Sequence, residues 1–417
     1  MTLKAENITV EGPIGGLRVI GVALGGTPMG RLVHAPGRGV PAVVPAYSPK
    51  DIFRAAYNLA SQSVRRRISE FTIFSPKPID SSDGTAGIHQ RYIEFFRNLL
   101  TKFSPDAVII VEGSDEVEEL VTAAQIGLPP SRTRWVSWCS MDTMDDESNE
   151  ALRSGRSAIE LGVADEMIDR TNGEARGRMA VVCNDARQAL SYFGLTKCNN
   201  ARAGAFPSFQ SRAEPIAVRT SDDTAWDFSG RGPWPCDIPV GNVRSPFRLI
   251  SGIKTVKLGS ASDYRLLHDH EVEGARKEHH LPPGQKRFQG LILAAPGPGN
   301  IRSNSKDRSL LRRAVDTLAR WGIPVAVRGR ATVDYKPTLA EGEFPGDVYG
   351  NDAGFLGGAL ISARGMAEGE STVVMQHLVA KTIADGKKGE ELVDIVGRRF
   401  ASYAQYFMPK VGEAEQD

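Results

Sequence analysis

The sequence is poor in the features that mark several protein classes. It holds only four cysteines, Cys139, Cys183, Cys198 and Cys236, and no CxxC pair. That scarcity excludes a disulfide scaffold or a zinc ribbon and leaves reduced thiols, as expected of a cytoplasmic protein. No run approaches 18 consecutive apolar residues, which excludes an ordinary membrane-spanning helix. The opening MTLKAENITVEG has no apolar stretch of the kind a secretory signal needs. Excess charge is also missing. The 51 basic and 50 acidic side chains leave a net charge of +1, without the basic footprint that binding to a nucleic-acid backbone requires. The triplet Arg65-Arg66-Arg67 is too short to alter this and reads as a solvated helix face. Two fingerprints are absent as well: GGTPMG lacks the GxGxxG spacing of dinucleotide binders, and EGSDE does not match the GxSxG nucleophile elbow.

What is present is enough apolar residue, 41%, to build real cores. At roughly 150 residues per domain, 417 residues suggest two domains. Short apolar runs bounded by Gly, Asp or Pro read as buried parallel strands: Leu17 to Leu24, Ala107 to Val111, Met179 to Cys183, Gly290 to Ala294 and Ile323 to Val327. They lack period-two alternation, as expected where helices cover both sheet faces. Helical patterns lie between them, over Pro49 to Ser61, Gly87 to Phe103, Asp115 to Ile126, Asp307 to Trp321 and Thr372 to Asp385. This order predicts an α/β chain built on a doubly wound parallel sheet. Ala205 to Val243 has no clear period and reads as strands and loops leading to a linker near 232–246. The expected division is a catalytic α/β domain over 1–240 and a smaller α/β domain over 241–417.

In open α/β sheets ligands bind beyond the carboxyl ends of the strands, so the residues after each apolar run matter most. The first run is followed by Gly25-Gly26-Thr27-Pro28-Met29-Gly30 and the second by Glu112-Gly113-Ser114-Asp115. Cys183-Asn184-Asp185 and Ala295-Pro296-Gly297-Pro298-Gly299-Asn300 follow two others. Taken singly, such tips are tight turns whose hydroxyls cap the next helix. Taken together, two hydroxyls at successive strand ends can share one pocket.

These segments resemble the bacterial-type L-asparaginases and glutaminases over roughly residues 17 to 400. LGGTPMG is similar to the family's TGGTIAG, and PDAVIIVEGSDEVEEL to its DGVVITHGTDTMEET. Ile79-Asp80-Ser81-Ser82-Asp83 is similar to its substrate-carboxylate loop, and GRMAVVCNDARQALSYFGLTKCNN to the segment carrying its lysine. QGLILAAPGPGN resembles its smaller C-terminal domain. The resemblance implies a two-domain asparaginase-like fold, a nucleophilic hydroxyl at Thr27, and a second hydroxyl–acid–lysine set of Ser114, Asp115 and Lys197. It implies that Ser81 binds a substrate α-carboxylate, with Ser82 in the same loop, and that Asp115 binds an α-amino group. Asn300 helps to frame the pocket, and the Gly113 and Ser114 amides are candidate oxyanion donors. It also implies a homodimer or homotetramer acting on a small amino-acid-derived substrate, with no cofactor or metal and no nucleic-acid or membrane partner.

The chain departs from the family at instructive places. The family histidine before the second turn is Glu112, and its threonine is Ser114. No tyrosine lies between Thr27 and Ala46, where the family carries the tyrosine of its mobile loop; Tyr47 is the nearest. The segment from Gly30 to Ala46 instead offers Arg31, His34 and Arg38 among glycines, which reads either as a lid whose arginines grip a carboxylate or as a solvated loop that they keep soluble.

Two further groups have plainer readings. His268, His270, His279 and His280 match no standard zinc spacing and read as a solvated linker helix. Trp226, Phe228 and Trp234 read as packing at a domain junction, with a ligand-stacking site as the alternative. The functional expectation is an asparaginase- or glutaminase-like amidohydrolase, or a related acyl-transfer enzyme, acting on Asn, Gln or a conjugated derivative. One alternative is a lactone-forming cyclase or lactonase acting on a sugar-linked glutamine opine. Another is a non-catalytic amino-acid binder on the same fold.

Overall fold

A computed structural model describes residues 5–33, 42–76, 85–140, 142–144, 149–170, 175–183, 187–192, 195, 215–220, 225–228, 247–258, 267–295, 305–329, 360–363 and 366–406. The chain divides into two compact units, one of 1–84 and 92–236, the other of 85–91 and 237–417.

The first unit opens with β1 (Ala5–Asn7), β2 (Leu17–Ala23), the hairpin β3 (Gly30–Val33) and β4 (Ala42–Pro45), and α1 (Pro49–Leu59). There follow α2 (Gln62–Arg65), β5 (Ile68–Phe74), α3 (Ala86–Phe103), β6 (Ala107–Val111), α4 (Val117–Gly127), β7 (Arg134–Trp138) and α5 (Glu150–Val163). Strands β8 (Ile168–Asp169), β9 (Arg176–Gly177), β10 (Met179–Val182), β11 (Gln188–Ser191), β12 (Pro215–Arg219) and β13 (Trp226–Asp227) complete it. Nine strands form one sheet in the order β1-β5-β2-β6-β7-β10-β11-β12-β13. The five from β5 to β10 are parallel, whereas β1 and the β11 to β13 end pair antiparallel. The expected parallel sheet is therefore present, extended by antiparallel strands at both ends.

Local chemistry explains the elements. Ser48 caps α1, its Oγ accepting from the Asp51 amide at 3.2 Å, and Pro49 occupies the first turn, where no amide donor is needed. Ile52, Phe53, Ala56 and Tyr57 then share one buried face. Strand alternation sends aromatic side chains to both sides of the sheet. Phe71 of β5 and Trp138 of β7 meet Phe53 of α1, with ring centroids 5.6 and 5.8 Å apart. Three residues away in each strand, Phe74 meets Phe95 at 6.3 Å and Trp135 meets Phe96 at 5.4 Å, both on α3. An odd offset places α1 and α3 on opposite faces, the doubly wound arrangement. Helix α5 packs on α1 and on β7. It comes close because Gly155 has no side chain: a Cβ there would stand 2.5 Å from the Trp138 ring.

The second unit carries β14 (Ile253–Lys257), a π-helical stretch (Leu267–Val272) running into α6 (Glu273–Glu278), and β15 (Gly290–Ala295). It continues with α7 (Ser305–Arg320), β16 (Val325–Gly329), β17 (Leu360–Ser362), α8 (Glu368–Ala384) and α9 (Gly389–Tyr406). Its four strands form a parallel sheet in sequence order. Residues 85–91, at the start of α3, group with this unit, where Gln90 Oε1 accepts from the Leu249 amide at 3.0 Å. The histidine-rich helix is not a solvated linker. Leu267, Val272 and Ala275 are buried and its first part packs on α7.

Candidate functional site

The sheet itself points to a site. Chain order β2, β5, β6, β7, β10 becomes spatial order β5-β2-β6-β7-β10, so the winding direction reverses between β2 and β6. At such a switch point the loops after two adjacent parallel strands diverge and leave a crevice beyond their carboxyl ends. Those loops hold Gly25-Gly26-Thr27 and Glu112-Gly113-Ser114.

The strands run together to their tips, the Leu24 amide donating to the Val111 carbonyl at 2.9 Å. Beyond them Gly26 takes φ 90°, ψ 176°, a conformation open in practice only to glycine. A Cβ on Gly26 would stand 2.5 Å from Gly113 N and 2.7 Å from Glu112 C, so the two loops touch backbone to backbone. Thr27 then opens a single 3₁₀ turn, Thr27–Met29, with Pro28 where a helix needs no amide donor. Thr27 is half-buried, Gly113 and Ser114 are buried, and Asp115 is exposed. Ser114 and Asp115 lie just ahead of α4, whose first turn carries Glu118 and Glu119, acids that suit the positive end of a helix.

Glu112 lies at the foot of this loop with 0% of its surface exposed. Burial pushes its carboxyl well above the ordinary 4.5; the Ser137 hydroxyl opposes the rise and Glu116 adds to it. Ser137 is close enough to favour the ionised form but is not aligned to bond it, its hydroxyl being 2.8 Å from Tyr192 Oη. Neither Glu112 oxygen is in hydrogen-bond geometry with a described residue. Burial therefore favours the protonated, neutral form of this carboxyl. Behind it, burial raises Cys139, with Cys183 beside it, and Tyr192 in the same way. Carboxyl, thiols and phenol make a buried polar layer under the loop.

The expected lid segment starts and ends as a hairpin, β3 and β4, and its middle lies outside the described residues. Its strands pair in register, Gly30 opposite Pro45 and Arg31 opposite Val44, and Arg31 is exposed. The hairpin returns the chain to the site, with the Ala46 and Tyr47 amides both donating to the Met29 carbonyl at 3.1 and 3.2 Å. Tyr47 itself packs against the core of the unit. Trp226 and Phe228 also pack there, with the Arg219 guanidinium 4.7 Å above the Trp226 ring. Among the predicted site residues, the structure sets the loop of Gly113, Ser114 and Asp115 against Gly26, the residue next to Thr27. Arg38, Ser81, Ser82, Lys197 and Asn300, with Trp234, lie outside the described residues. In the sequence Glu112 stands out only as the replacement of a histidine. Its total burial was signalled by its place directly after the apolar run AVIIV.

Among the described residues no group of three His, Cys, Asp or Glu side chains can hold a metal ion, and no helix is long and apolar enough to cross a membrane.

No protein-family profile matches this chain, and no curated protein matches it in sequence. Solved structures do match. A probable cytoplasmic L-asparaginase from Campylobacter jejuni superposes with a TM-score of 0.62 at 17% identity, over 94% of this chain and 99% of its own. The thermostable L-asparaginase of Thermococcus kodakarensis gives 0.61 at 16%, over 93% and 99%. L-asparaginase I of Vibrio cholerae gives 0.61 at 15%, over 88% and 94%. The chain has the two-domain asparaginase-like fold.

Proposed function

We propose that this chain is an acyl-transfer enzyme of the amidohydrolase type, acting on the side-chain amide of Asn, Gln or a conjugate that keeps an amino-acid head. The observation that carries the reading is the backbone contact of Gly26 with Gly113, which puts the Thr27 and Ser114 loops side by side at the switch point. That is the juxtaposition two hydroxyls need in order to serve one carbonyl. The solved L-asparaginases that share this fold support the same chemistry.

In this reading Thr27 Oγ1 attacks the amide carbon and its proton leaves towards a base. The C–N bond then breaks, ammonia departs and an ester on Thr27 remains. Lys197, with Ser114 and Asp115, is the proposed relay for that proton, a role open to a lysine whose pKa falls on burial. The Gly113 and Ser114 amides are the proposed donors to the oxyanion. Water then releases the acid. Ser81 and Ser82, with Asn300, are the proposed holders of the amino-acid head, and the working form is a homodimer or homotetramer.

A second reading rests on the hairpin. Arg31 is exposed on β3 and Tyr47 packs against the core, an arrangement suited to a larger acidic or polyol-bearing substrate whose own hydroxyl takes the acyl group and closes a lactone. Incubation with Asn, Gln and sugar-linked glutamine, with ammonia and product mass measured together, separates these outcomes. Ammonia with a free-acid product supports amide hydrolysis, and ammonia with a cyclised product to which no water has been added supports lactone closure. Saturable binding with no product identifies an amino-acid binder and overturns both.

A further inference from the structure

The second unit holds a cavity of about 560 Å³ that the chemistry at Thr27 does not use. Its volume lies within the range of small-molecule sites. It sits between the segment after α6, the end of α7 and the connection from α8 to α9.

Two kinds of surface line it. One is cationic: Lys286, Arg320, Lys387 and Lys388 all reach its wall, and no Asp or Glu lines it among the described residues. Lys387 is paired with Glu391. Lys286, Arg320 and Lys388 have no ion pair among the described residues. Lys286 is half-buried, and burial lowers its pKa, the mark of a cation short of compensating charge. The other surface is apolar, made by Ile323, Val379, Ile383 and Leu392 with Pro282 and Pro283. An aromatic wall adjoins it, in which His279 stacks on Trp321 with centroids 4.8 Å apart and planes 17° from parallel. The His279 ring is fixed from behind, Nδ1 lying 2.7 Å from the Arg276 carbonyl oxygen.

A structural role alone does not account for this lining. Cations that only keep a surface soluble need no apolar floor, and a packing defect needs no cations. An anionic guest supplies the counter-charge that half-buried Lys286 lacks, beside Arg320 and Lys388, which line the same cavity and are exposed. The geometry points to a binding site in the second unit for a small organic anion, one with a carboxylate, phosphate or sulfonate head on an aromatic or aliphatic body. The head is held by Lys286, Arg320 and Lys388, and the body lies on the Ile323–Ile383 floor beside Trp321. Paired, charge-assisted hydrogen bonds suit Arg320 to such a head.

The test uses the full chain and 8-anilinonaphthalene-1-sulfonate as probe, titrated by fluorescence at constant ionic strength. One saturable site per chain is expected. Arg320→Ala/Lys388→Ala should weaken it by about tenfold or more, equivalent to 1.4 kcal/mol, whereas Arg320→Lys/Lys388→Arg keeps it. Inorganic phosphate, a head without a body, should displace the probe only far less effectively than an alkyl phosphate. Unchanged affinity in the alanine pair, with the charge-conserving pair confirming an intact fold, overturns the site. So does displacement by inorganic phosphate as effective as that by alkyl phosphate.

Discussion

Gly26 and Gly113 meet at a distance that no side chain permits: a methyl group on Gly26 would stand 2.5 Å from the Gly113 nitrogen and 2.6 Å from its Cα. Thr27 follows on one side of this contact and Ser114 on the other, so the contact sets how closely their two loops lie. Gly26→Ala should therefore separate the loops. The φ of 90° adds backbone strain of about 1–3 kcal/mol for a residue with a Cβ. Turnover should fall by roughly 100-fold, as a 1 Å misplacement can cause, while the melting temperature drops by only a few degrees. Parent-like turnover in this variant would show that the spacing is not needed.

The Glu112 carboxyl gives a pH signature. Its folded pKa lies above the unfolded 4.5, so the native state keeps a proton that the unfolded chain releases. Its contribution to stability is whole below pH 4.5 and is lost as pH rises towards the folded value. Glu112→Gln removes the titration. Compared with the parent, the variant should gain stability progressively as pH increases above 4.5 in denaturant titrations. A difference between the two that does not change with pH contradicts a raised carboxyl.

How much of this was legible in the sequence varied with the kind of burial. AVIIV reads as a strand and is one, Ala107–Val111, because every position is apolar and buried. Strands β5 (ISEFTIF) and β7 (RWVSW) escape such a reading, since Glu70, Arg134 and Ser137 interrupt the apolar run. Helix α5 escapes it too. Its buried residues mix Ile159, Leu161 and Val163 with Ser154, Gly155, Ser157 and Glu160, so small and polar residues dilute the apolar pattern. At the site, Thr27 and Ser114 are visible as hydroxyls after strands, but their adjacency follows from strand order, which crossover connections set and no local pattern records. The antiparallel β11 to β13 end depends on pairing between distant segments in the same way.

Arg219 offers a stability test in that part of the sheet. Its guanidinium is buried, donates to Ser157 Oγ at 2.8 Å and pairs with Glu160. Arg219→Ala leaves Glu160 without that cation, and the cost should be about 3–5 kcal/mol in chemical unfolding. Replacing both residues by Met should recover most of the loss. A single change costing under about 1 kcal/mol would rank the pair with ordinary surface bridges.

Arg31 separates the two substrate classes. On the second reading, Arg31→Ala raises KM for an acidic or conjugated substrate and leaves kcat unchanged, the pattern of lost uniform binding. On plain asparagine hydrolysis, neither constant moves. Initial-rate kinetics on free Asn and on a glutamine conjugate decide between them.

The central claim is that Thr27 carries the acyl group. Protein mixed with substrate, quenched in acid within milliseconds and digested, should contain a peptide spanning Thr27 whose mass is increased by the acyl group less the proton lost from the hydroxyl. Thr27→Ala should lack the adduct and lose turnover by several orders of magnitude while unfolding at the parent temperature. An adduct on Ser114 instead, or Thr27→Ala turnover within tenfold of the parent, would contradict the account.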